Sequence, residues 1–187
     1  MLPTALTYSH QLAKEIVAPG DCVVDATMGN GHDTLFLAQL VGTSGQVYAF
    51  DVQEQAVAST KKRLVAAKMF SQTKLIHAGH ENFAHFFPAN TSMKLAIFNL
   101  GYLPNSDKTI ITNSKNTLAA VNQMLPVLSP NGRIILVAYY GHPGGHEELS
   151  QLQTFCQTLP QEMYQVMTYQ FINQRNSPPL LFCIEKK

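Results

Sequence analysis

At 187 residues and 45% apolar content, the chain suits one domain with a substantial core and is too apolar for a disordered one. Thirteen basic residues against twelve acidic ones give a formal charge of +1, which argues against a strongly basic nucleic-acid footprint or an acidic tail. A local basic surface stays open, because binding follows where charge lies more than its sum.

Cys22, Cys156 and Cys183 are odd in number, widely separated and without a CxxC pair, so a zinc ribbon or dithiol redox site is not expected. Cys22 and Cys183 fall in apolar runs, where buried free thiols are common. There is no basic segment followed by a long apolar run, and nothing approaches the ~20 apolar residues of a membrane span. A cytoplasmic protein with no membrane and no metal partner is therefore expected.

In chain order, residues 7–17 predict a first helix with Leu12, Ala13, Ile16 and Val17 on one side, broken by Pro19-Gly20-Asp21. Residues 22–26 read as a short apolar strand and 33–40 as the helix after a glycine turn. A loop at 42–45 leads to a strand at 46–51 and a long helix at 54–70. In that helix Val57, Thr60, Leu64 and Ala67 step by three and four. Strands follow at 74–77 and 94–98, then a mostly helical stretch at 109–128. Asn131-Gly132 turns the chain into a strand at 133–138, and a helix is expected at 147–159. Strands at 164–171 and 180–184 flank the polar loop 173–179. This alternation predicts an α/β fold of one domain over residues 1–187, with a largely parallel sheet covered on both faces. The last two strands lack room for a crossover helix, so the final one should run antiparallel.

The first strand ends in Asp25-Ala26-Thr27-Met28-Gly29-Asn30-Gly31, and the second in Tyr48-Ala49-Phe50-Asp51. In open α/β sheets, ligands bind beyond the carboxyl ends of the strands. Gly29 and Gly31 allow a ligand close approach. Asp25 can accept from an ammonium group, and Asp51 from a ribose diol. The alternative for each is local: a backbone cap at Asp25, a solvated strand end at Asp51. A dinucleotide fingerprint needs a third glycine where Thr34 stands, and no Gly-Lys-Ser/Thr of a phosphate-binding loop follows. With Asp25, Met28 and Asp33 around the turn, a cationic, phosphate-free ligand fits better than a pyrophosphate, and S-adenosylmethionine is such a molecule. Gly79-His80-Glu81-Asn82 follows the third strand, where His80 either reaches the adenine or caps the next helix.

Asn99-Leu100-Gly101-Tyr102 comes straight after the fourth strand. The Asn99 side-chain oxygen and the Leu100 carbonyl can accept hydrogens from an amine and aim its lone pair, while Tyr102 walls the pocket. Methyl transfer to nitrogen then requires mainly positioning and desolvation. Asp107 is the nearest carboxylate to take the amine proton, or else forms an exposed ion pair with Lys108. Tyr139-Tyr140-Gly141-His142-Pro143-Gly144-Gly145-His146 lies at the same sheet edge and reads as a substrate rim. His142 and His146 stand four apart, but the intervening Pro and Gly and the missing HExxH pattern disfavour a metal there.

The run Asp25-Ala26-Thr27-Met28-Gly29-Asn30-Gly31-His32-Asp33-Thr34 resembles the first motif of the class I methyltransferase group labelled rRNA methylases. Members of this group are assigned as tRNA 5-aminomethyl-2-thiouridine methyltransferases. Tyr48 to Gln53, His80-Glu81-Asn82, Asn99 to Pro104 and Gly141 to Gly145 match its later motifs in order, so the likeness covers essentially the whole chain. It implies a Rossmann-like, seven-stranded, mostly parallel sheet and S-adenosylmethionine as donor. It also implies an exocyclic amine on a tRNA wobble uridine as acceptor. Asp25, Met28, Gly29, Asn30, Gly31, Asp33, Asp51, Val52, Gln53, His80, Glu81 and Asn99 are then expected around the donor, with Asn99, Tyr102 and Asp107 at the reacting amine. Asn99-Leu100-Gly101-Tyr102 is similar to the Asn-Pro-Pro-Tyr motif of amino-group methyltransferases but lacks both prolines.

The expected partner is a tRNA anticodon stem-loop, gripped by the fold itself or with a second subunit as a homodimer. Phosphate contacts would come from among Lys14, Lys61, Lys62, Arg63, Lys108, Lys115, Arg175, Lys186 and Lys187, and base stacking from Tyr102, Tyr139 or Tyr140. The rival readings are an N-methyltransferase for rRNA or a small amine, and a noncatalytic RNA-binding protein that keeps the fold.

Overall fold

The computed structural model describes residues 1–101 and 113–187. Seven strands form one sheet in the order β3-β2-β1-β4-β5-β7-β6. They are β1 (Cys22–Asp25), β2 (Gln46–Asp51), β3 (Thr73–His77), β4 (Met93–Leu100), β5 (Leu128–Ala138), β6 (Tyr164–Tyr169) and β7 (Leu180–Lys186). Only β7 runs against the rest, pairing antiparallel with both β5 and β6. The expected mixed sheet and reversed last strand are both present.

Strands buried on both faces read as continuous apolar runs, and their alternate residues feed two separate cores. On one face Ala96 and Phe98 of β4 join Leu136, Phe182 and the side chains of α5 (Ser114–Met124) and α6 (Gly145–Thr158). On the other, Leu95 and Ile97 join Leu12, Leu37 and Leu64, from α1 (Ala5–Ile16), α2 (His32–Val41) and α3 (Glu54–Ala66). The order of strands reverses direction at β1, which has β2 on one side and β4 on the other. A cleft opens beyond the carboxyl ends of strands at such a point.

Several boundaries differ from expectation for local reasons. Helix α1 starts at Ala5, because the Thr4 hydroxyl accepts from the Thr7 N–H at 3.1 Å and caps it. Helix α3 ends at Ala66 and not near Phe70. Lys68 takes φ 58°, and the N–H groups of Lys68 and Met69 return to the carbonyls of Val65 and Leu64, a Schellman stop without glycine. A short helix α4 (Phe83–Phe86), for which the pattern gave no range, follows the 3-10 turn that His80 opens. Within the stretch 109–128, residues 109–112 lie outside the described residues, and the helix occupies Ser114–Met124. Strand β5 begins at Leu128, so Asn131-Gly132 is an irregularity inside a long strand and not the turn before it.

The turn after β1 is held at both ends. Gly31 has φ +76° and begins α2, and a Cβ built on it would stand 2.9 Å from the Thr60 backbone. Glycine is required there both for the angle and for the approach of α3. Gly31→Ala should lower folding stability by about 2–4 kcal/mol, read from chemical denaturation midpoints against wild type.

Candidate functional site

Three strand ends, the start of α2 and the exposed flank of α1 enclose a crevice of about 420 Å³. The turn contributes Thr27, Met28 and Asn30, α2 contributes His32 and Asp33, and β4 contributes Asn99, Leu100 and Gly101. Tyr139, after β5, and Leu6, from α1, close the sides. Among the expected site residues, Met28, Asn30, Asp33 and Asn99 meet here. Asp25, Asp51 and His80 are placed around the same turn but outside this lining. Glu81 follows His80 in the 3-10 turn, its carbonyl accepting from Gln123 of α5, and Tyr102 and Asp107 lie outside the described residues.

The turn is fixed through its backbone. Met28 N–H donates to the Phe50 carbonyl at 2.9 Å, and Gly29 N–H donates to Asp51 Oδ2 at 2.9 Å. From α3, the Thr60 hydroxyl donates to the Gly29 carbonyl at 3.0 Å and Arg63 Nε to the Asn30 carbonyl at 2.7 Å. Asp51 Oδ1 accepts from Gln53 N–H, so each of its oxygens retains a lone pair for a further donor. Val52 is exposed, and its carbonyl accepts from His77 Nε2.

Asp25 is fully buried. Its carboxylate accepts from the Thr34 hydroxyl at 2.6 Å and from Thr27 N–H at 3.2 Å. Burial, and after it the charge of Asp33, push its pKa up to about 7. Asp33, 7% exposed, accepts from His10 Nε2 at 2.8 Å and from Asn99 Nδ2 at 2.7 Å. Asn99 and Leu100 are the last residues of β4, not a loop after it, which places Asn99 on a rigid element. Its Oδ1 is buried and has no partner among the described residues.

His80 Nδ1 is 3.0 Å from the Ala26 carbonyl, which can only accept, so the proton is on Nδ1 and Nε2 is left as an acceptor. Burial lowers its pKa and keeps the ring neutral. Nε2 is buried and unpartnered among the described residues. His80 also opens a 3-10 turn at His80–Asn82, so its backbone serves the next element while its ring faces β1.

In the loop after β5 the two tyrosines part company. Tyr139 lines the crevice partly exposed, its pKa raised by partial burial and then by Asp33, whereas Tyr140 is buried in the core against His146 and offers no stacking surface. Of the basic residues, Arg63 is tied to His32 at 2.9 Å beside the crevice, and Lys115 is exposed at the start of α5. Lys186 instead donates to the Leu128 carbonyl at the amino end of β5, away from the crevice. The three thiols are raised by burial, Cys22 and Cys156 to about 11 and Cys183 to about 12, which keeps them protonated and unreactive.

Sequence reasoning missed Leu6, His10 and Thr34, and named Arg63 only as a phosphate contact, not as the donor that holds the Asn30 carbonyl. The signal for the first two is faint: Leu6 and His10 are four apart, beside the core face made by Ala5, Ser9, Leu12 and Ala13.

The family model described as "Putative rRNA methylase" matches residues 47–185. A crystal structure titled as a "putative rRNA-methylase" from Clostridium thermocellum is 41% identical and superposes over 100% of both chains with a TM-score of 0.97. The chain belongs to this methylase family. A "putative methyltransferase" from Streptococcus mutans, solved in complex with SAH, is 37% identical over 100% of both chains with a TM-score of 0.91. The "tRNA (mnm(5)s(2)U34)-methyltransferase, chloroplastic" of Arabidopsis thaliana is 37% identical over 98% of this chain and 70% of its own length.

A nucleoside carrying a cationic sulfur fits what this methylase presents. Asp25, Asp33 and Asp51 surround the turn, and the unpartnered buried atoms at its edge, His80 Nε2 and Asn99 Oδ1, are both acceptors. The Asp25 carboxyl has a testable signature. Its folded pKa of about 7 lies above the ordinary 3.8, so its ionisation opposes folding: the penalty is absent below the unfolded value and grows as pH rises to about 7. Compared with Asp25→Asn, the wild-type protein should therefore lose stability from about pH 4 to about pH 7 and little more above that. Denaturation midpoints across this range measure the gap.

Proposed function

We propose that the protein methylates the exocyclic amine of 5-aminomethyl-2-thiouridine at the wobble position of tRNA. S-adenosylmethionine is the donor, and when bound it supplies a methyl group on a positively charged sulfur. The observation that carries this reading is the identity with the Arabidopsis tRNA methyltransferase over 98% of the chain. The free Asn99 oxygen on the crevice wall supports it.

In this reading Asp51 accepts from the ribose hydroxyls with the lone pairs that Gly29 and Gln53 leave over. Gly29, Gly31, Val52, Gln53 and Glu81 border the nucleoside, and His80 Nε2 accepts from its base. The charge of Asp33 on the crevice wall favours the cation and loses its attraction once the sulfur is neutral, which assists product release. Asn99 Oδ1 and the Leu100 carbonyl accept the amine hydrogens and turn its lone pair toward the methyl group. An alkylamine is protonated near neutral pH and must lose that proton first, to Asp107 or to water. Tyr102 and Tyr139 flank the base.

The anticodon stem-loop would lie across the crevice edge near Arg63 and Lys115, in the cytoplasm, with a homodimer widening that edge. Sedimentation of the free protein and of its tRNA complex tests the dimer, and a 1:1 complex of a monomer would remove it.

Purified protein should transfer labelled methyl to tRNA bearing the aminomethyl group and leave free alkylamines unlabelled. Asp51→Ala should weaken donor binding roughly 10-fold or more by calorimetry. Asn99→Ala should lower kcat by about 100-fold with donor affinity nearly unchanged. Nucleoside mass analysis of tRNA from cells lacking the protein should show the amine precursor in place of its methylated form. An unchanged nucleoside profile counts against the proposal.

A further inference from the structure

Beyond Lys14 as a phosphate contact, helix α1 carries no expected role in the site, yet one of its side chains is wired into the acceptor wall. His10 Nε2 is 2.8 Å from Asp33 Oδ1, and Asp33 Oδ2 is 2.7 Å from Asn99 Nδ2. The imidazole lies flat on Phe36, with ring centroids 4.1 Å apart and an interplanar angle of 18°. The backbone N–H of Asn99 is separately fixed, donating to the Thr27 hydroxyl at 2.8 Å.

We propose that His10 and Asp33 are positioning residues that set which end of the Asn99 amide faces the methyl acceptor. A carboxylate only accepts, so Asp33 holds the NH2 end of the amide and leaves Oδ1 as the end offered to an incoming amine. An amide turned the other way would present N–H groups to the acceptor, repelling its hydrogens and competing for the lone pair that must attack carbon. Asp33 is nearly buried beside the second carboxylate of Asp25, and the His10 N–H is the donor that holds it in place from the α1 side. The flat contact with Phe36 fixes the ring plane, so the direction of the His10 donor is set by packing. This inference rests on the reading of Asn99 as the residue that aligns the amine.

His10→Phe keeps the stack on Phe36 and deletes the hydrogen bond, and His10→Gln restores an N–H at a similar reach. With tRNA bearing the aminomethyl group, His10→Phe should lower kcat roughly 10- to 100-fold. Its KM for tRNA and its calorimetric affinity for S-adenosylmethionine should stay within about twofold of wild type. His10→Gln should recover most of the turnover. A second readout is independent of turnover: hydrogen exchange of the Asn99 side-chain NH2, followed by NMR of asparagine-labelled protein. Exchange should be slow in wild type and His10→Gln and fast in His10→Phe. Wild-type kcat or wild-type exchange in His10→Phe overturns the proposal, as does a His10→Gln protein as impaired as His10→Phe. A loss that follows donor affinity also overturns it. Failure of the wild-type protein to methylate this tRNA would sink the substrate reading alone, because the exchange measurement still reports whether His10 sets the amide.

Discussion

The hold of the Asp51 carboxylate on the Gly29 N–H is the constraint on which the site depends. It joins the tip of β2 to the turn that leaves β1, and the Phe50 carbonyl, bonded to Met28 N–H, repeats the tie one residue earlier. From the far side α3 holds the carbonyls of Gly29 and Asn30 through Thr60 and Arg63. Every polar backbone group so engaged is removed from competition for ligand, and the turn needs little reorganisation when a ligand arrives. Preorganisation of this kind lowers the ordering cost of binding. The Thr60 contact also explains the close approach of two helices at Gly31, since a hydroxyl reaches the carbonyl only if α3 passes within van der Waals distance of the turn.

Three carboxylates around one turn are tolerated because each is handled differently. Asp25 is buried on two hydrogen bonds and holds its proton up to about neutral pH. Asp33 is shared between an imidazole and an amide. Asp51 is partly open and caps backbone N–H groups. The acidic residues therefore divide into a core group, a wall group and a rim group, although in the sequence they look equivalent. That division follows from depth alone: the end of β1 is central in the sheet, and the end of β2 lies one strand farther out.

The sheet was legible because buried parallel strands such as 46–51 and 133–138 announce themselves as short apolar runs, and the glycine turn marks where the ligand edge lies. Helix ends were less legible. The stop at Lys68 uses a left-handed lysine, and no local residue preference gives it away. Within the site, Asn99 could be read from its position next to a strand and an aromatic. His10 could not, because its partner is 23 residues away and its helix gives no periodic sign of a ligand. The burial of Tyr140 beside a partly exposed Tyr139 was equally hidden, as both follow the same strand, and Gly145 packs closely against the Tyr140 backbone.

Besides its core packing, helix α1 is held by partners distant in sequence. Arg133 Nη1 donates to the Leu12 carbonyl and to Glu15, its Nε pairs with Glu185, and the Tyr169 hydroxyl donates to the Pro3 carbonyl at 2.7 Å, across 166 positions of sequence. Tyr8 lies against the same Tyr169 ring. A growing chain thus emerges from the ribosome with the wall segment made early and its anchors made late. The segment carrying Leu6 and His10 is thereby tied to the far end of the chain, with its anchors on β5, β6 and β7.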